Sequence, residues 1–147
     1  MTKDQMREAI IEAKASKGMT WEQIAEKGGC SPVFVTATCL GEHSMTPEQA
    51  EKLSGALGLG KEVTQALTDC PMKARQGEEL MNDPLIYRFK EIGMVYGESF
   101  KELVHEKFGD GIMSAIDFTM DVDKEEDPKG DRVKITMSGK FLPYKRW

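Results

Sequence analysis

Gly109-Asp110-Gly111-Ile112-Met113-Ser114-Ala115-Ile116-Asp117-Phe118 is where the chain changes its period. Upstream, apolar residues recur at helical spacing. Downstream, Ile116, Phe118, Met120 and Val122 alternate with Asp117, Thr119, Asp121 and Asp123. A spacing of two marks a strand with one apolar face. Asp127-Pro128-Lys129-Gly130 reads as a turn, and Val133, Ile135 and Met137 alternate again beyond it. Together these runs predict a β-hairpin. Ser114 stands just past two glycines, which allow close approach to its hydroxyl and the neighbouring amides. The commoner role for such a serine is to cap a short helix.

Working back from the hairpin, Asp83-Pro84 reads as the N-cap and first position of a helix. That helix runs toward Gly97, with Gly93 a weak point, and Ser99 to Phe108 continues it to a stop at Gly109. Arg88 and Glu91 are three apart and so share a face. On base rates such a pair is a surface ion pair worth a few tenths of a kcal/mol. Leu85, Tyr87 and Phe89 crowd it with apolar groups, which argues against open water. An Arg, a Glu and a Ser with no metal-ligand cluster nearby suit the handling of a small anion. No phosphate-loop pattern and no G-x-S-x-G elbow occurs.

The first half reads as a string of helices. Thr2 with Gln5, Thr20 with Gln23, and Thr46 with Gln49 each fit a capping box. Trp21–Lys27, the turn Gly28-Gly29-Cys30, and Pro32–Leu40 form a helix-turn-helix pattern. DNA binding is the functional reading of that pattern, and a DNA-binding regulator is the alternative function. The second helix, however, carries no Lys, Arg, Asn or Gln to read bases or grip phosphates. A helix pair used for packing is the preferred reading. Cys70 to Asp83 is a polar connector, and the boundary is placed between residues 76 and 77.

A chain of 147 residues, 39% hydrophobic and 31% charged, has the balance of one ordinary or two small globular domains. No apolar run can span a bilayer. The polar start Met1-Thr2-Lys3-Asp4-Gln5 gives no sign of a signal peptide. A net charge of −5 works against nucleic acid as a main partner. Three cysteines without C-x-x-C spacing argue against a zinc site or disulfide framework and for a reducing compartment, so the expected location is cytoplasmic. His43 and His105 lie one in each half. A metal site is not expected, and His105 reads as a packing or interface residue.

One hairpin with a helix or two buries little surface alone. The apolar hairpin face and the tail Phe141–Trp147 need cover. A second copy of the same segment is the natural source, giving an intertwined two-fold dimer.

Several strings also resemble a known family. Pro84-Leu85-Ile86-Tyr87-Arg88-Phe89-Lys90-Glu91, then Tyr96-Gly97, then His105 to Phe118 closely resemble cyanase (cyanate hydratase), as does Asp127 to Pro143. The resemblance implies an α+β fold. Residues 1–76 would be a helical domain like those of repressor proteins, and 77–147 a catalytic and dimerisation domain with intertwined subunits. It implies that Arg88, Glu91 and Ser114 are catalytic. It implies that cyanate and bicarbonate become ammonia and carbon dioxide through a carbamate, without metal or organic cofactor. It further implies a decamer of dimers with sites between subunits, and no nucleic-acid or membrane partner. Glu91 would either orient Arg88 or carry a proton to the developing nitrogen anion, and the residues alone leave both open.

Overall fold

The three capping boxes set the register of the N-terminal helices. In each, the Thr hydroxyl accepts from the Gln backbone N–H and the Gln side chain accepts from the Thr N–H. They start α1 (Lys3–Ser16), α2 (Trp21–Gly28) and α4 (Pro47–Leu57). Ser31 caps α3 (Pro32–Cys39) with proline at its first position. Gly29 and Gly58 end α2 and α4 in the left-handed region, where glycine carries no Cβ penalty. α5 (Lys61–Thr68) follows. The structure is a computed structural model that describes residues 1–74 and 76–147.

The chain divides into two units, Met1–Arg75 and Gln76–Trp147. The first holds the hydrophobic core: Met6 and Ile10 from α1, Ile24 and Ala25 from α2, Val35 and Cys39 from α3, Leu53 and Leu57 from α4, and Ala66 and Leu67 from α5. Burial pushes the Cys39 thiol up to about 12, so it packs as a small apolar group.

The second unit carries α6 (Gly77–Leu80), α7 (Tyr87–Phe108), β1 (Gly111–Glu125) and β2 (Arg132–Pro143). The connector expected over 70–83 therefore contains a short helix; Arg75 within it lies outside the described residues. Asp83 caps the turn that leads into the long helix: its Oδ1 accepts from the N–H groups of Leu85 and Ile86 and its carbonyl from Tyr87 N–H, while the regular helix α7 begins at Tyr87. Gly93 and Gly97 do not interrupt α7. None of its 22 residues is buried within one chain.

β1 and β2 form one antiparallel pair. The expected hairpin is present, and within it Met120 stands opposite Met137 and Val122 opposite Ile135. Two expectations fail near Ser114. Between Met113↔Phe141 and Phe118↔Gly139, four residues of β1 stand against one of β2, Lys140. This wide bulge interrupts the alternation, so Ile116 leaves the apolar face and is 95% exposed. The tail is also shorter than its composition suggests, because Phe141–Pro143 belong to β2 and the Phe141 ring stacks on Phe108 at 5.2 Å.

Candidate active site

Arg88 sits in the first turn of α7, where the ladder is still irregular. Its backbone N–H donates to Leu85 O rather than to Pro84 O. The Pro84 carbonyl is left over and accepts from Arg88 Nε at 3.2 Å. Arg88 Nη1 donates to Glu91 Oε2 at 2.7 Å. The guanidinium is thus held on two sides. Among the described residues, two of its five N–H donors are engaged in these bonds. The pair is half exposed, 54% for Arg88 and 47% for Glu91. Pro84 as a partner of Arg88 was missed from sequence. Their spacing of four was the available signal.

Ser114 lies in the bulge and caps no helix. Its Oγ accepts from the N–H groups of Ile116 at 3.1 Å and Asp117 at 2.9 Å. Both lone pairs of the hydroxyl are therefore engaged, and its own hydrogen is what remains to give. The two amides point at Oγ and are not turned outward toward a ligand, contrary to the expectation from the glycines. Ser114 is only 7% exposed.

The structure brings Arg88 and Glu91 together and leaves Ser114 apart from them within one chain. Among the described residues, no hydrogen bond joins Ser114 to either. Ser114 follows the C-terminal end of α7, whereas Arg88 is at its start, and the helix is about 33 Å long at 1.5 Å per residue.

His105 acts in packing. Its Nε2 lies 3.3 Å from Gly111 O and its Nδ1 3.6 Å from Asp110 Oδ1, tying the end of α7 to the start of β1. Near it, Phe100, Val104, Gly111, Met113 and Tyr144 line a shallow pocket. In the first unit, α2 and α3 form the expected helix pair, and α3 bears no charged residue. No helix among the described residues is long and apolar enough to cross a membrane.

Two family profiles tile this chain: "Cyanate hydratase, N-terminal" over residues 3–71 and "Cyanate lyase C-terminal domain" over residues 78–146. They place it in the lyase class of enzymes. Cyanate hydratases of Marinomonas sp. (strain MWYL1) and Teredinibacter turnerae (strain ATCC 39867 / T7901) are 54% and 55% identical to it, each over 147 residues and the full length of both chains. The crystal structure of cyanase from T. urticae is similar with a TM-score of 0.86 at 41% identity, covering 94% of this chain and 96% of that one. The chain belongs to the cyanate hydratase, or cyanase, family.

Proposed function

We propose that this chain decomposes cyanate with bicarbonate, giving ammonia and carbon dioxide through a carbamate. The observation that carries the reading is the Arg88 guanidinium, pinned by Pro84 O and Glu91. Cyanate and bicarbonate are both anions. Two unit charges ~4 Å apart repel by ~1 kcal/mol in water and ~4 kcal/mol at an effective dielectric near 20. Arg88 offsets that repulsion. Alignment of the two reactants supplies much of the remaining acceleration, up to ~7–11 kcal/mol for well-oriented partners.

A bicarbonate oxygen attacks the cyanate carbon, and the C–N π electrons move to nitrogen, which takes up one proton from outside and, as carbon dioxide leaves, the bicarbonate's own hydrogen. Loss of carbon dioxide leaves carbamate, which takes up a second proton and splits into ammonia and carbon dioxide. Two protons are consumed overall. Ser114 donates its hydroxyl hydrogen to a substrate oxygen. Glu91, 2.7 Å from a guanidinium, acts as the ionised carboxylate that orients Arg88. No metal or organic cofactor enters this scheme.

Assembly belongs to the same proposal. Exposed apolar residues on α7 and the hairpin support cover by further copies of the chain, in intertwined dimers built into a decamer. Copies from neighbouring subunits then bring Ser114 to Arg88. The free thiols Cys30, Cys39 and Cys70 suit a cytoplasmic setting.

The test is ammonia release from purified protein and cyanate, with and without bicarbonate. One ammonia per cyanate, dependent on bicarbonate, is expected. No bicarbonate-dependent ammonia overturns the reading.

A further inference from the structure

The bulge that carries Ser114 leans on a glycine of the opposite strand. Gly139 pairs with Phe118 at the bulge's far end. Its backbone is not in the left-handed region, so conformation does not demand glycine there. Space does. A Cβ at 139 would fall inside 3.0 Å of the Ser114 carbonyl oxygen and 2.5 Å from Met113 Cγ. The first of these neighbours is backbone, and no change of rotamer relieves it. A glycine inside a strand is a recognised mark of a bulge or of close backbone approach.

We infer that Gly139 is a positioning residue for Ser114, the bare seat on which the Ser114 peptide rests. The inference rests on the role given to Ser114 under the proposed function. Ser114 Oγ is located by the N–H groups of Ile116 and Asp117, so the backbone of 114–117 sets where the hydroxyl sits. A methyl group at 139 pushes on the carbonyl of that same stretch. The bulge shifts, and the hydroxyl hydrogen is carried off its line to the anion. Displacements of about 1 Å can cost a hundredfold in rate.

The experiment compares wild type, Gly139→Ala, Ser114→Ala, their combination, Met113→Ala/Gly139→Ala, and Gly55→Ala. Gly55 lies in α4, and a Cβ there meets nothing within 4 Å, so this variant keeps wild-type behaviour. Readouts are kcat and KM for each substrate, oxalate affinity by calorimetry, amide exchange at Ile116 and Asp117, and mass by light scattering. Oxalate serves as a dianion probe that needs no turnover.

Gly139→Ala is expected to keep the wild-type mass and lose roughly tenfold to a hundredfold in kcat/KM and in oxalate affinity, the size of one charge-assisted hydrogen bond. Its Ile116 and Asp117 amides exchange faster. The Ser114→Ala/Gly139→Ala double variant is no worse than Ser114→Ala alone, because Gly139 acts through that hydroxyl. Met113→Ala/Gly139→Ala stays impaired, since the Ser114 carbonyl still collides.

A wild-type-like Gly139→Ala, additive losses in the double variant, or full recovery on trimming Met113 each overturns the inference. So does loss of fold or assembly in Gly139→Ala, which would make Gly139 a general structural residue. Wild-type protein without bicarbonate-dependent ammonia is a different failure, that of the proposed function itself.

Discussion

Arg88 Nη1 lies 2.7 Å from Glu91 Oε2 while Nε of the same side chain donates to Pro84 O. A fork held at two points presents its remaining donors in a fixed direction. Lysine has the charge without the fork. Arg88→Lys should keep assembly and lose about a hundredfold in kcat/KM, near the value of one hydrogen bond to a charged group. A half-exposed pair contributes at most about 1 kcal/mol to stability. Arg88→Ala should therefore elute from size exclusion as wild type does while releasing no ammonia. Dissociation of that variant would make Arg88 an interface strut instead.

Glu91→Gln discriminates between the two roles of the carboxylate. A glutamine oxygen still accepts from Arg88 Nη1, but the bond loses its ionic part. An orienting role predicts a loss of roughly tenfold in kcat/KM, with Glu91→Ala worse because the guanidinium is then held only by Pro84. Proton transfer predicts a loss of ~10²–10⁴ in the glutamine variant. Steady-state kinetics of the two variants separates these outcomes.

Ser114→Ala removes a donor and also strands two amides. The Ile116 and Asp117 N–H groups lose the oxygen of Ser114, a residue that is 7% exposed. The cost in stability should be about 1–3 kcal/mol, read from urea unfolding, together with a fall in kcat/KM. Ser114→Thr keeps the oxygen and should retain most of that stability. Equal destabilisation by both substitutions would show that the bulge does not depend on Oγ.

The helical half was legible because its signals are local. A capping box spans four residues, and Thr2–Gln5, Thr20–Gln23 and Thr46–Gln49 all closed as read. The two strands were legible from their alternation. What failed depends on residues far apart in sequence. The bulge at 114–117 is set by pairing with Phe141 and Gly139, which no local pattern around Ser114 encodes. The regular part of α7 starts at Tyr87 instead of Pro84, because the turn that Asp83 caps is tight: Arg88 and Phe89 N–H donate to Leu85 O and Ile86 O, three residues back. Arg88 and Glu91 were legible as neighbours. Ser114 was singled out by its glycines and by resemblance, and no spacing rule would have joined it to a pair at the other end of a 22-residue helix.

His43 gives the first unit a pH dependence. Burial, and then the Lys73 ammonium 3.3 Å from Nε2, hold its pKa below 6.5, with Glu42 opposing. Between the lowered folded value and 6.5 the unfolded chain binds the extra proton. Stability from this group is therefore fully present above pH 6.5, declines as pH falls below it, and levels off under the folded pKa. His43→Gln cannot titrate. The difference in thermal midpoint between wild type and His43→Gln should shrink from pH 8 to pH 5. A difference that stays constant would remove His43 as the source.

Activity should follow assembly, because the second unit lacks the means to stand alone. α7 buries no residue within one chain, and Phe89, Ile92, Tyr96, Phe100 and Leu103 are all exposed along it. A two-stranded hairpin is marginal by itself in water. Covering such a face would contribute roughly 25 cal/mol per Å², so under the proposed assembly association would stabilise this half more than the chain's own packing does. Deleting Tyr144–Trp147 spares the ladder, which ends at Pro143. It removes the Tyr144 N–H bond to Asp110 O and the exposed Tyr144 and Trp147 rings. That truncation should lower oligomer stability and turnover together. Dilution should do the same to the intact chain, with specific activity tracking the oligomer fraction in sedimentation velocity and returning on reconcentration. If one chain supplied both Arg88 and Ser114 to a site, the dissociated form would keep its rate. A stable monomer with full specific activity would therefore sink the shared-site model and leave the α7 surface without its proposed occupant.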